Sequence, residues 1–104
     1  MFRVVVSYPN TPGSRFDMDY YLNQHTALVL EKLKPHGLME VNVDQGLGGG
    51  TPGSPARYQV QAYLNFPTAE QLQAGMAAAG ATLMADLKNF TDVRPDIQIS
   101  KVIR

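Results

Sequence analysis

The sequence contains no cysteine and no tryptophan, and its nine basic residues are balanced by nine acidic ones. Without cysteine, the chain can form no disulfide, thiolate nucleophile or zinc–thiolate site. A formal net charge of zero provides no basic excess for phosphates, so the sequence predicts no nucleic-acid partner and no attachment to an anionic membrane surface. No apolar run approaches the roughly 20 residues of a membrane-spanning helix, and residues 1–8 do not resemble a signal peptide. We therefore expect a cytoplasmic protein.

The composition is typical of a globular domain. The length of 104 residues suits one domain, over residues 1–104, and a hydrophobic content of 44% is too high for a disordered chain. No repeat or interdomain linker interrupts the sequence.

Four segments have the pattern of β-strands: 2–8, 38–47, 57–66 and 96–103. The first is apolar on both parities, which favours a central position in a sheet. In the third, one parity is mainly apolar, whereas the other is mostly polar, with Gln59, Gln61 and Asn65. That second face could contact water or pack against another sheet.

Helical spacing follows the first strand. Asp17 can cap the helix, and Pro35 with Gly37 would end it. Its predicted inward stripe is Met18, Leu22, His25, Val29 and Leu33, with Tyr21 and Leu28 beside it.

The second helix begins with capping-box spacing between Thr68 and Gln71. Its apolar stripe continues through Leu72, Met76, Ala79, Leu83, Leu87 and Phe90. Gly75 and Gly80 interrupt this helix, which indicates close packing or a break.

The order β-α-β-β-α-β, with right-handed crossovers, predicts an α+β fold: a ferredoxin-like sandwich with two helices on one face of a four-stranded antiparallel sheet. The Gly/Pro-rich segment 46–56 has neither the lysine nor the spacing of a phosphate-binding loop. We expect it to be a hairpin loop and the least ordered part of the chain.

His25 is the main candidate for chemistry. It lies on the inward stripe, where an imidazole can serve as acid and base, and the Tyr21 hydroxyl is a possible partner for it. A structural core histidine bonded to a backbone carbonyl fits the same pattern. His36 lies in a turn and is expected at the surface, and no motif for a metal, a dinucleotide or a serine nucleophile is present.

Two blocks of residues resemble the EthD family. The first is the strand ending in Tyr8-Pro9, followed by Phe16-Asp17-Met18-Asp19-Tyr20-Tyr21 and His25. The second is Asp86-Leu87-Lys88-Asn89-Phe90-Thr91-Asp92, followed by Pro95 and a final strand. The resemblance implies a homodimeric α+β barrel, with sheets packed face to face between protomers and a cleft towards which His25 points. It also implies links to ether degradation and to barrels that act as isomerases, cyclases and cofactor-free monooxygenases.

Three functional hypotheses follow. The first is a cofactor-independent enzyme that transfers a proton on an apolar carbonyl- or phenol-bearing metabolite, with His25 as acid/base and Tyr21 or Tyr8 orienting the substrate. The second is a noncatalytic dimeric binding module for a small hydrophobic ligand or a pathway partner. The third is haem binding, with His25 as an axial ligand. The sequence does not identify a substrate.

Overall fold

The structure, a computed structural model, describes residues 1–104 and confirms the predicted element order and fold class. Strands β1 (Phe2–Pro9), β2 (Glu40–Gln45), β3 (Tyr58–Phe66) and β4 (Asp96–Lys101) form one antiparallel sheet in the order β2-β3-β1-β4. The central position predicted for the first strand is therefore confirmed.

Two helices cover one face of this sheet. Helix α1, residues 18–33, consists of an α-helical turn (Met18–Tyr20), a π-helical segment (Tyr21–His25) and an α-helical segment (Thr26–Leu33). The Asp17 carboxylate accepts a hydrogen bond from the backbone N–H of Tyr20, which confirms the predicted cap. After a short 3₁₀ turn the chain reverses at Gly37, whose φ of 93° favours glycine.

The predicted inward stripe of α1 was wrong at Leu22, whose side chain is 48% exposed. Tyr21 is buried in its place, together with His25, Val29 and Leu33. The reason is the π-helical segment Tyr21–His25. A π-helical turn contains more residues than an α-helical turn, so residues four apart, such as Tyr21 and His25, lie closer to the same side of the helix than a spacing of 3.6 residues per turn predicts.

Helix α2 spans Ala69–Ala85 and begins where predicted, with the Thr68 hydroxyl accepting from the backbone N–H of Gln71 at 3.1 Å. The helix is continuous through Gly75 and Gly80, so neither glycine breaks it. At Gly75 an added Cβ would lie 3.2 Å from both His36 Cβ and Leu33 Cδ2, which confirms close packing there.

The core between sheet and helices has two parts. The aliphatic half comprises Val4, Val29, Leu33, Leu38, Leu64, Phe66, Leu72, Ala79 and Leu83. The aromatic half comprises Tyr8, Tyr21, Val60, Ala62 and Phe90, with Phe16, Met18 and Tyr20 packed against it. The candidate site lies where the aromatic half meets the aliphatic half.

Two predicted strands were too long. β2 spans Glu40–Gln45 instead of 38–47, and β4 ends at Lys101, which leaves Ile103 91% exposed. The loop after β2 is a hairpin connection, as predicted, closed by hydrogen bonds from Gly46 N to Gln59 O and from Gly49 N to Ser54 O. The expected mobility of this loop stays a prediction.

Candidate active site

The π-helical segment of α1 sets the geometry of the site. The Thr26 hydroxyl donates to the carbonyl of Tyr21 at 2.9 Å, and the Thr26 backbone N–H bonds to the same carbonyl. This places the rings of Tyr21 and His25 on the same side of the helix, stacked at 5.5 Å with an angle of 19° between their planes. Short π-helical turns within α-helices are often found at functional sites.

His25 is paired with an acidic residue from the other half of the chain. Its Nδ1 lies 2.8 Å from Oδ2 of Asp86, which directly follows α2. Both side chains are largely buried, at 8% and 12% exposure. The contact joins residues 61 positions apart, so it forms only when the two helices pack on the sheet.

Hydrogen bonds hold the Asp86 carboxylate from two further directions. The Tyr20 hydroxyl donates to Oδ1 at 2.7 Å, and the Asn89 amide donates to the same oxygen at 2.8 Å. Burial raises the pKa of the Asp86 carboxyl, but the hydrogen bonds from Tyr20, Asn89 and His25 outweigh this effect and leave the pKa below its ordinary value.

An ionised Asp86 accepts a hydrogen bond and cannot donate one, so it selects the His25 tautomer that carries its proton on Nδ1. The other nitrogen, Nε2, then carries a lone pair and makes no hydrogen bond with the protein. A carboxylate that fixes the tautomer and orientation of an imidazole in this way prepares it to accept a proton.

Aromatic rings enclose the pair. Phe90 lies 4.7 Å from His25 and 5.1 Å from Tyr21, measured between ring centroids. The backbone carbonyl of Phe90 accepts a hydrogen bond from the Asp17 N–H at 2.7 Å, which fixes the position of Phe90. The block that follows α2 is therefore tied directly to the start of α1.

The His25 ring borders a cavity of about 110 Å³ between the helices and the sheet. Twelve of its 15 lining residues are hydrophobic, so the site suits an apolar molecule. Its most exposed lining residues are Met84, 41% exposed, and Ile97, 47% exposed, which places the mouth between the end of α2 and the edge strand β4. Tyr8 and Tyr21 lie at the closed end.

The two tyrosines are neutral hydrogen-bonding groups. Burial, with a further contribution from Tyr21, raises the pKa of the Tyr8 hydroxyl far above its usual range. Burial also raises the pKa of Tyr21 to about 12, against an opposing contribution from the Tyr8 hydroxyl, which donates to it. Near neutral pH both hydroxyls keep their protons. Because Tyr8 donates its proton to Tyr21, the Tyr21 hydroxyl is the one that can donate to a ligand oxygen.

The structure brings all three sequence-predicted site residues, His25, Tyr21 and Tyr8, to one cavity. The suggested hydrogen bond from Tyr21 to His25 was wrong, because their rings stack face to face and His25 Nδ1 pairs with Asp86. Sequence reasoning missed the role of Asp86. Its only signal was its place in the second block of family resemblance.

No group of three or more histidine, cysteine or acidic side chains is arranged to hold a metal ion. The cavity is also much smaller than a porphyrin, since an apolar cavity of about 150 Å³ is filled by benzene. None of the helices combines the length and the apolar character required to cross a membrane.

Comparisons with known proteins agree with the fold. An EthD-like protein from Ralstonia eutropha JMP134 is 34% identical, with a TM-score of 0.90 over 99% of this chain and 92% of its own. An ethyl tert-butyl ether D family protein from Bacillus halodurans C-125 is 19% identical, with a TM-score of 0.74 over 99% of both chains. A putative antibiotic biosynthesis monooxygenase from Nitrosomonas europaea shares the fold, at 15% identity and a TM-score of 0.57 over 100% of both chains.

None of the curated proteins matches the chain significantly. The EthD domain, by contrast, matches residues 14–94, a range that contains α1, β2, β3, α2 and both members of the His25–Asp86 pair. The chain therefore belongs to the EthD family.

Proposed function

We propose that this protein is a small cofactor-independent enzyme that moves a proton on an apolar carbonyl- or phenol-bearing metabolite. The observation that carries the proposal is the 2.8 Å contact between His25 Nδ1 and Asp86 beside an apolar cavity. It leaves one basic nitrogen, His25 Nε2, free of protein partners at a site otherwise lined mainly by hydrophobic side chains. An imidazole in such a site can act as a base and then as an acid.

The step that this geometry supports begins at a carbon next to a carbonyl group. His25 Nε2 takes a proton from this carbon, and the electron pair of the broken C–H bond moves to form an enolate. Tyr21 donates a hydrogen bond to the enolate oxygen, and Asp86 stabilises the imidazolium that has formed. His25 then returns its proton to the same or another carbon, so the protein ends unchanged and no oxidant or reductant is required.

Proton transfer of this kind underlies isomerisation, cyclisation and dehydration. The size of the cavity favours it over haem binding, because about 110 Å³ is less than the volume of about 150 Å³ that benzene alone fills. A noncatalytic binding module uses the same cavity but requires no free Nε2. The distinction between enzyme and binding module is therefore whether His25 exchanges a proton with the bound molecule.

The test is the incorporation of solvent deuterium into the positions next to the carbonyl of cyclohexanone, followed by NMR. We expect the protein to accelerate exchange, and His25→Gln to remove the acceleration while keeping the fold, since glutamine can still bond to Asp86. His36→Gln is the matched control, because this second histidine lies in the turn after α1 and does not border the cavity. Exchange that survives in His25→Gln contradicts the proposal, and ligand binding without any exchange supports the binding module.

We also propose that the protein forms a homodimer through the sheet face opposite the helices. On that face Arg3 Nε and Asn65 Oδ1 are buried without hydrogen-bond partners, and such groups are normally satisfied. A partner sheet could supply partners for them, although a stable interface needs roughly 1,000 Å² of buried area. Light scattering at micromolar concentration should give twice the mass of 11.4 kDa, and a monomer contradicts the proposal.

A further inference from the structure

Two glycines in helix α2 have different surroundings. Glycine inside a helix is unfavourable by about 1 kcal/mol relative to alanine, so each position calls for a reason. At Gly75 the reason is packing against His36 and Leu33, as described above. At Gly80 an added Cβ would meet a single atom, Met76 Cε, at the ordinary distance of 3.9 Å. Packing therefore does not require glycine at position 80.

The cavity offers a reason, because Gly80 lines it. Met76 and Leu83 line the cavity beside Gly80, and an added Cβ would have Met76 Cε as its one neighbour, so a longer side chain at this position would occupy cavity space. The absence of a side chain at Gly80 therefore leaves room for a ligand. Because the whole cavity has a volume of only about 110 Å³, even one added methyl group would take up a substantial part of it.

The polar groups of the cavity fix the other end of the ligand. Tyr8 and Tyr21 lie at the closed end with His25, whereas the walls nearer the mouth are aliphatic. A ligand oxygen therefore pairs with the Tyr21 hydroxyl, and the carbon skeleton of the ligand faces Gly80. The cavity, at about 110 Å³, is smaller than the cavity of about 150 Å³ that benzene fills, but it opens at its mouth, so it takes at most one six-membered ring or a short branched chain.

We propose that Gly80 determines substrate size: the site takes a single-ring ketone or phenol whose oxygen binds at Tyr21 and whose ring packs against the bare helix backbone at Gly80. This inference rests on the proposed function for the identity of the site, but it concerns binding and does not require catalysis. It assigns a role to a residue that takes no part in the proposed proton transfer.

The experiment is a titration of the protein with cyclohexanone, followed by the NMR shifts of backbone amides, in three variants. We expect Gly80→Leu to weaken binding at least tenfold, since one methylene in an apolar pocket changes selectivity about 10- to 200-fold. Gly80→Ala should weaken binding less and raise the melting temperature by a few degrees, because alanine favours the helix. Ala81→Leu is the matched control, since it adds apolar bulk to the exposed face of the same helix and should leave the dissociation constant unchanged.

Equal affinity in the wild type and in Gly80→Leu overturns the inference, provided that both are folded. So does an absence of cyclohexanone binding to the wild type. Size-dependent binding without deuterium exchange has a different meaning, because it supports the role of Gly80 while removing the proposed proton transfer. The stabilised Gly80→Ala variant excludes misfolding as the cause of weaker binding.

Discussion

The aliphatic and aromatic halves of the core are similar in burial but differ in chemistry. Leu33, Phe66 and Val4 in the aliphatic half are fully buried and contain no ionisable group. In the aromatic half Tyr8 and Tyr21 are just as buried, and Phe90 packs directly on the ring of His25. The polar groups of the aromatic half have hydrogen-bond partners in one another or in Asp86, or they have access to the cavity.

This difference indicates that the aliphatic half mainly determines stability, whereas the aromatic half forms the candidate site. The aliphatic half supplies most of the apolar burial that joins both helices to the sheet. The aromatic half holds titratable side chains in fixed positions around an open space, which a close-packed core would not leave. Substitutions in the two halves should therefore affect different measurements.

The largest effect on stability is expected from Leu33→Ala in the aliphatic half. Removing a fully buried leucine side chain leaves a cavity and should lower the free energy of unfolding by about 2–5 kcal/mol. Denaturant unfolding measures this change, with Leu22→Ala, an exposed leucine on the same helix, as the control. If Leu33→Ala also changed the NMR signals of His25 in the folded protein, the aliphatic and aromatic halves would not be independent.

The aromatic half should make the protein sensitive to alkali. The pKa of Tyr21 is about 12 in the folded protein, above its ordinary value of 10. The contribution of this group to stability is therefore fully present below pH 10 and is lost as the pH rises towards 12, at about 1.4 kcal/mol for each pH unit. Tyr21→Phe should flatten this slope in urea unfolding. Equal slopes in the wild type and in Tyr21→Phe would be evidence against the raised pKa of Tyr21.

A smaller effect, on activity and not on the fold, is expected from Asp86→Asn. The amide can still contact His25 but no longer selects the tautomer with the proton on Nδ1, so the rate of deuterium exchange should fall about 10- to 100-fold. Asp92→Asn is the control, because Asp92 accepts from the Arg15 backbone N–H and lies outside the cavity. An unchanged rate in Asp86→Asn would remove Asp86 from the mechanism.

The smallest effect is expected from Thr68→Ala, which removes the N-terminal cap of α2 far from His25. Loss of the hydrogen bond to the Gln71 N–H should reduce stability by about 1 kcal/mol. Thermal unfolding measures it, and the affinity for cyclohexanone should not change. A change in affinity would mean that the two halves are coupled through α2.

Most of the fold could be predicted because its signals are local. The two-sided apolar pattern of β1, the cap at Asp17 and the capping box at Thr68 each act within a few residues. The failure at Leu22 has an equally local cause, since a π-helical turn has a different period from the α-helix that the spacing assumed.

The site could be predicted only in part. His25, Tyr21 and Tyr8 share the inward faces of α1 and β1, so periodicity could bring them together. Asp86 lies in a turn after α2, where a polar residue is unremarkable, and its contact with His25 depends on how both helices pack. The role proposed for Gly80 depends on a cavity, and no pattern along the chain encodes an empty space.

The proposed proton transfer depends on Asp86 holding His25 with its proton on Nδ1 and its Nε2 free at the cavity. The most direct test is the ¹⁵N NMR spectrum of the histidine side chains, recorded at a pH where the rings are neutral, with His36→Gln used for assignment. We expect His25 to be protonated on Nδ1 and Asp86→Asn to abolish this preference. A His25 ring protonated on Nε2 would contradict the proposal, because that nitrogen could not then accept a proton from a substrate.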